Sequence, residues 1–335
     1  MTVAPNYLLK VEKLSKRFTL RPGLFSRRGL SLTAIDQVDL SMEPGQIYGL
    51  VGESGSGKST LGRAILQLTR ADSGKVYFKG IDLCTSSPRA LNAAREKLQV
   101  VFQDSSSSLS PRRTILQSLL EPLEQFRIGD RVEHPLYCEQ VLETVGLGKE
   151  VLARLPHQLS SGQRQRIGIA RAILTRPDLI IADEPVSSLD VSVQAQILNL
   201  IRELRTRNGI AFLFISHDLA VISQVADVVG VMFQGQIVET APVKSLFENA
   251  SHPYTRQLLA AIPNPDPSVQ MSAVHGNAGL TRSVKTQGCV FASRCPSVMP
   301  MCLEHSPVYS SVGTVDQHHV RCHLREQETE KHDQG

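Results

Sequence analysis

The sequence has no apolar run approaching the length of a membrane span. Its longest uninterrupted apolar stretches, such as residues 179–182 and 211–215, are far shorter than the roughly 20 residues a spanning helix needs. Lys10, Glu12 and Lys13 break the apolar core that an export signal requires, so the chain is expected to remain on the cytoplasmic side. Charge of one sign is scarce too. Lys and Arg number 36 against 32 Asp and Glu, and a net charge of +4 over 335 residues is too mild to argue for nucleic-acid binding. There is no internal repeat, and no low-complexity tract longer than the serines at 105–108. No Cys-x-x-Cys pair occurs among the six cysteines, which in a chain that is not exported are expected as thiols or metal ligands. Disorder as the overall class is excluded by 41% apolar and 20% charged residues. The length suits two domains, or one large α/β domain with an appendage.

What is present is unevenly placed. Residues 1–35 carry Lys10, Lys13, Lys16, Arg17, Arg21, Arg27 and Arg28 against Glu12 alone, which reads either as a solvated basic face or as an electrostatic docking surface. Residues 263–288 are polar and rich in Pro, Ser, Asn and Gly, as in a linker. Residues 325–335 are charged, and this end is expected to fray.

The first chemical signal is Gly52-Glu53-Ser54-Gly55-Ser56-Gly57-Lys58-Ser59-Thr60. Before it, residues 47–51 read as a short buried strand. After it, Leu61, Ala64, Ile65 and Leu68 recur at helical spacing. Strand, glycine-rich turn and helix are the context a phosphate-binding loop requires. The three glycines let backbone N–H groups curl around an anion at a helix N-terminus. Lys58 would reach the β- and γ-phosphates, and the Ser59 hydroxyl would ligate Mg²⁺.

A second signal is the apolar run 179–182 ending in Asp183 and Glu184, as expected of a central parallel strand whose C-terminal edge faces a ligand. Asp183 fits a Mg²⁺ contact through water, and Glu184 a general base acting on water against the γ-phosphate. No Asn-Lys-x-Asp motif occurs, which disfavours GTP. Between the two signals lies Leu159-Ser160-Ser161-Gly162-Gln163. Ser160 and Gln163 have the spacing of a capping box, and Ile167, Ala170 and Leu174 mark one face of the helix that follows.

With these residues in place, the chain resembles the nucleotide-binding subunits of ABC transporters from about residue 7 to its end. Residues 159–163 resemble the family's signature, Leu-Ser-Gly-Gly-Gln, with Ser161 departing at the third position. Gln103, after the strand at 100–102, resembles the Q-loop glutamine, which senses Mg²⁺ and the membrane partner. Ser188, Leu189 and Asp190 resemble the D-loop, and His217, after the strand at 211–215, the switch histidine. Phe18 lies where the family places an aromatic against adenine, and packing is the other reading of it. The resemblance implies that each signature acts on the partner's ATP. One phosphate loop and one signature per chain then imply pairing with a second ATPase.

Within the family, residues 107–112, the Asp183–Gln196 region, His252-Pro253-Tyr254-Thr255 and the basic insert at 21–28 resemble the importers of peptides and nickel. The spacing of Cys289, Cys295, Cys302 and Cys322 leaves a metal site and scattered thiols both open. The flanking Gly288-Cys289 and Arg294-Cys295-Pro296 resemble the C-terminal module of oligopeptide/dipeptide importer ATPases, some of which hold a 4Fe–4S cluster; zinc is the alternative. Cys84 and Cys138 fall outside this pattern.

The expected fold is therefore α/β: a P-loop ABC-type ATPase core with a parallel sheet, an antiparallel β subdomain and an inserted helical subdomain at about 103–160. The expected division is an ATPase domain at 1–262, a linker at 263–288, a cysteine module at 289–324 and a disordered end at 325–335. The resemblance implies an ATP- and Mg²⁺-dependent motor for dipeptide or oligopeptide uptake at the cytoplasmic face of a prokaryotic inner membrane. Its partners would be a second related ATPase (a heterodimer being favoured), two permease subunits, and an extracytoplasmic peptide-binding protein, with no nucleic acid. Nickel, glutathione or opine uptake is the alternative cargo, and a soluble ABC ATPase outside transport is the alternative class.

Overall fold

Alternation makes the first two strands half-buried. In β1 (Leu9–Thr19) the core residues are Leu9, Val11 and Leu14, and in β2 (Ser31–Met42) they are Ile35, Val38, Leu40 and Met42. Each pattern slips by one residue at a left-handed position, Lys13 (φ 44°) and Gln37 (φ 47°), the behaviour of a β-bulge. The computed structural model describes residues 7–19, 31–103, 109–262, 287–312 and 318–325. Outside the described residues lie the basic insert at 21–28, Ser107 and Ser108, nearly all of the expected linker, and the charged end from 326.

Two units can be distinguished, the first comprising Met1–Leu14, Asp39–Tyr48 and Ser59–Ser216. β3 (Ile47–Val51) is buried throughout, as its sequence predicts. α1 (Lys58–Ile65) buries Leu61, Ala64 and Ile65, but Leu68 does not continue that face. Gln67 takes φ 53° and the Leu68 N–H returns to the Arg63 carbonyl at 2.9 Å, a Schellman-type stop that leaves Leu68 exposed. β4 (Ser73–Phe78) and β5 (Ile81–Asp82) form an antiparallel hairpin, which joins the first unit's parts of β1 and β2 in a sheet ordered β2-β1-β4-β5.

α2 (Pro88–Lys97) starts at an N-capping Ser87 and leads into β6 (Leu98–Val101). Among the described residues three α-helices follow: α3 (Ile115–Phe126), α4 (His134–Thr144) and α5 (Ser161–Ile173), which pack on one another. β7 (Leu179–Asp183), α6 (Val191–Asn208) and β8 (Ala211–Ser216) complete the unit. β6, β7 and β8 are parallel, with Leu98 opposite Leu179 and Leu179 opposite Ala211. β7 and β8 are buried at every position, as a parallel strand covered on both faces should be.

The second unit comprises Ser15–Val38, Gly49–Lys58 and His217–Gly335. After α7 (Leu219–Ser223), β9 (Val228–Phe233) and β10 (Gln236–Pro242) form an antiparallel hairpin, followed by α8 (Val243–Asn249) and α9 (Pro253–Ala260). The tail supplies α10 (Pro300–Glu304), β11 (Tyr309–Ser311) and β12 (His319–Arg321). β12 adds antiparallel to β10, with Glu239 opposite Val320. Among the described residues no helix is long and apolar enough to cross a membrane.

A buried carboxylate organises this unit. Glu239 is fully buried, and its oxygens accept the N–H groups of Ser251 at 2.7 Å and His252 at 2.9 Å, with His318 Nε2 at 2.8 Å. Burial pushes its pKa up, but the hydrogen bonds, led by His318, outweigh that and hold it below the usual carboxylate value. His252 caps α9 by accepting the Tyr254 N–H on Nδ1 at 3.1 Å, which requires a neutral ring. Its burial pushes the imidazole pKa down to about 4.

Both groups make this unit acid-labile. The unfolded chain protonates His252 near its ordinary 6.5 and the folded chain only near 4, so stability is lost as pH falls through that window. The Glu239 contribution disappears lower still, as pH falls through its depressed folded value. Urea titrations between pH 7 and pH 4 are expected to show a loss of about 3 kcal/mol from His252, and His252→Asn, which keeps a capping acceptor without titrating, is expected to remove that slope.

Candidate functional site

The glycines of the phosphate-loop sequence are demanded by neighbouring backbone. A Cβ on Gly52 would lie 2.1 Å from the Met232 carbonyl oxygen, and one on Gly57 (φ 109°) 2.1 Å from the Ala34 carbonyl oxygen. Gly55, at φ 80°, is needed for the turn itself. Lys58 is buried and donates to the carbonyls of Gly52 at 2.8 Å and Glu53 at 3.0 Å. Ser54 and Gly55 are exposed at the tip, while Ser56 is buried. This gives a positive charge inside a loop whose tip is open to an anion.

In the first unit, four of the predicted residues meet in pairs. Ser59 Oγ donates to Asp183 Oδ1 at 2.7 Å, and Gln103 Nε2 donates to Glu184 Oε2 at 2.9 Å. Asp183 closes β7, and Thr60 follows Ser59 within α1. A hydroxyl, a carboxylate and an amide oxygen are the hard donors that Mg²⁺ selects, so the residues fit that ion. Glu184 carries a feature no spacing announces: its backbone is left-handed, at φ 48°. Its N–H donates to Ile215 O at 3.0 Å and its carbonyl accepts from Ser187 Oγ at 3.1 Å. Such a conformation costs about 1–3 kcal/mol and persists only where its surroundings enforce it.

Ser160 and Gln163 form both bonds of the predicted capping box, Gln163 N–H to Ser160 Oγ at 3.2 Å and Ser160 N–H to Gln163 Oε1 at 3.0 Å. Leu159 and Gly162 are buried, and a Cβ on Gly162 would lie 2.6 Å from Val193 Cγ1. Ser161, the departure from the signature, is the first residue of α5 and is exposed. Asp190 caps α6 through the Val193 N–H at 2.9 Å, with Ser188 and Leu189 preceding it. In the second unit Phe18 is 38% exposed near the end of β1, which disfavours plain core packing, and His217 is exposed directly after β8.

Sequence reasoning missed the partners of Glu53. Arg294, from the tail, grips its carboxylate with both terminal nitrogens, at 2.7 and 2.8 Å, while the Glu53 N–H donates to the Tyr254 hydroxyl at 3.0 Å. The guanidinium lies over the rings of Phe233 and Phe291. Arg294 and Tyr254 sit in stretches the sequence singles out for their likeness to the importer branch, but nothing in their spacing points to residue 53.

The four tail cysteines all lie in the second unit. Cys289 donates its N–H to the Cys302 carbonyl at 2.8 Å, and Cys302 and Cys322 are buried. Burial pushes the thiols of Cys289 and Cys295 up and that of Cys322 up to about 11. Among the described residues no group of three or more His, Cys, Asp or Glu is placed to hold a metal ion. Cys138 is likewise pushed up to about 11 by burial.

The first unit also holds a groove of about 820 Å³ lined by Leu66, Leu98, Val100, Phe102, Pro122 and Phe126. Glu121, on its wall, pairs with Arg113 and Arg171.

Comparison with known proteins accounts for this combination. Residues 35–187 match the family described as ABC transporter, and residues 238–302 match the oligopeptide/dipeptide transporter C-terminal region. The chain is 41% identical to the oligopeptide transport ATP-binding protein AppF of Bacillus subtilis, over 95% of this chain and 97% of that one. It is 43% identical to a putative peptide import ATP-binding protein of Brucella ovis, over 92% and 94% respectively. The glutathione import ATP-binding protein GsiA of Escherichia coli is 48% identical over 78% of this chain and 42% of its own. Among solved structures, a dimeric ATP-binding cassette in a post-hydrolysis state with ADP and Pi matches with a TM-score of 0.63 and 27% identity, covering 70% of this chain and 98% of that one.

The fit around Gly57 can be tested directly. Gly57→Ala forces both a left-handed alanine and a collision with the Ala34 carbonyl, and is expected to cost at least about 1–3 kcal/mol in thermal or urea unfolding. Gly55→Ala meets no atom within 4 Å and is expected to cost less, although it too is left-handed.

Proposed function

The chain belongs to the family of ABC transporter ATP-binding proteins, and from that premise we propose that it is the motor subunit of an importer of dipeptides or oligopeptides. The observation that supports this reading is the meeting of Ser59 with Asp183 and of Gln103 with Glu184 at the ends of β6 and β7. Similarity to peptide import ATP-binding proteins over nearly the whole length supports the cargo class.

Residues 52–58 would receive the phosphates of ATP on backbone N–H groups, with Lys58 against the β- and γ-oxygens. Ser59, Asp183 and Gln103 would hold Mg²⁺, which supplies positive charge against the phosphate oxygens. Glu184, oriented by the Gln103 amide, would accept the proton of the attacking water, giving ADP and phosphate, with His217 steadying the γ-phosphate. Phe18 would stack on adenine. Residues 159–163 present a capped helix N-terminus, whose partial positive charge suits the ATP of a partner subunit, and Ser188, Leu189 and Asp190 would lie at the same junction.

The pairing is proposed as a heterodimer with a related ATPase, attached peripherally at the inner face of the membrane to two permease subunits that an extracytoplasmic peptide-binding protein feeds. The groove beside Phe102 and Phe126, whose apolar floor is edged by Arg95, Glu121, Glu124 and Arg171, suits an amphipathic permease helix. The division at 262 and 288 belongs to the same proposal. Glutathione is a second cargo reading, favoured by the likeness to GsiA. Uptake by the reassembled transporter of labelled peptides against labelled glutathione separates the two.

A 4Fe–4S cluster or zinc in the tail would require Cys289, Cys295, Cys302 and Cys322 to rearrange and lose protons. Iron and a brown colour in anaerobically purified protein, both abolished by Cys295→Ser, would support it. Colourless, metal-free protein with a folded tail ends it.

Glu184→Gln is expected to bind ATP and lose ~10²–10⁴ in turnover in the assembled complex. Lys58→Ala is expected to lose ATP binding itself. Turnover near the natural rate in the first variant removes Glu184 from the role of base.

A further inference from the structure

We propose that Arg294, from the C-terminal tail, is a positioning residue of the phosphate loop, which neutralises and fixes Glu53 so that the loop can accept a polyphosphate. The proposal rests on the ATP-binding reading above. Glu53 is the one acidic residue in the stretch 52–60. A carboxylate beside a site for a multiply charged anion opposes binding unless a cation cancels it. Arg294 does so in the strongest available geometry, two parallel N–H···O bonds of 2.7 and 2.8 Å from one guanidinium.

Both ends of Glu53 are held. Its side chain is taken by Arg294 and its backbone N–H by the Tyr254 hydroxyl. Arg294 is itself seated, with its guanidinium carbon 5.4 Å from the centre of the Phe233 ring and 5.8 Å from that of Phe291. Phe291 is buried and packs edge-on against Phe233 at 5.2 Å and at a tilt against Tyr254 at 5.5 Å. A flat, delocalised cation suits this stack of rings, and a lysine could not reproduce the two-pronged grip.

Magnitude separates this role from a structural one. Arg294 and Glu53 are 39% and 43% exposed, and ion pairs that open to water add little to folding stability. The loss of Arg294 should therefore appear in nucleotide affinity while the melting temperature stays nearly constant. Arg294 adjoins Cys295 and follows Cys289 by five residues, so the tail's cysteine-bearing turn carries the residue that touches the loop.

The test uses the full chain with Mg²⁺ and a fluorescent ATP analogue in equilibrium titrations, with melting curves alongside. Arg294→Ala is expected to weaken binding roughly three- to fivefold with little change in melting temperature. Arg294→Lys should recover part of the loss. In a Glu53→Gln background there is no carboxylate to neutralise, and Arg294→Ala should change affinity less than about twofold. Equal losses in both backgrounds, or no loss in the natural one, overturn the proposal. Should Arg294→Ala lower the melting temperature markedly, Arg294→Gln takes its place under the same criteria. If Lys58→Ala abolishes binding while Arg294→Ala does not affect it, only this proposal falls; if Lys58→Ala also binds normally, the ATP-site reading falls with it.

Discussion

A loop that grips phosphates with its own N–H groups tolerates no side chain behind it, and the second unit is built up to that limit. Carbonyl oxygens of Met232 and Ala34 stand where the Cβ atoms of residues 52 and 57 would be. The turn between β9 and β10 closes the same space: Gly235 donates to Ser56 O at 2.8 Å and accepts from Asp36 N–H at 2.9 Å. That turn needs left-handed residues at Gln234 (φ 43°) and Gly235 (φ 87°), the geometry that matches the twist of a hairpin. The loop's shape, the hairpin's turn and the course of β2 are therefore one requirement, met by three separate stretches of chain.

What could be read from the sequence is what is local. The phosphate loop, the apolar strand ending in Asp183 and Glu184, and the capping box of Ser160 and Gln163 each occupy fewer than ten residues, so their spacing carries their geometry. The pairings that complete them are not local. Gln103 reaches Glu184 across 81 residues, His318 reaches Glu239 across 79, and Arg294 reaches Glu53 across 241. Nothing in composition or periodicity selects those partners. Leu68 fails for a different reason: helical spacing predicts its face, while a left-handed Gln67, without the glycine that usually marks such a stop, ends the helix three residues earlier.

Glu184 joins strain to chemistry. A glutamate in the left-handed region is held there by Ile215 O on its N–H and by Ser187 on its carbonyl, while Gln103 holds its carboxylate. The strain is balanced by the buried strand that precedes it, whose register with β8 leaves the chain no freedom before Asp183. The side chain proposed to meet water is thus placed by backbone bonds that a substitution at its tip does not disturb.

The tail follows from its size. Some forty residues cannot bury enough apolar surface to fold alone, so they must borrow a core, and the core they borrow is the one behind the phosphate loop. Phe291 inserts among Phe233, His252 and Tyr254, Val320 is buried on β12, and His318 supplies a bond to the buried Glu239. Removing the tail would strip a buried carboxylate of its side-chain partner and uncover Phe233 and Tyr254, costs that are structural before they are functional. A truncation would therefore confuse loss of fold with loss of function. Single substitutions at the Arg294–Glu53 pair keep Phe291, Val320 and His318 in the chain, which makes them the cleaner way to ask what the tail does for the loop.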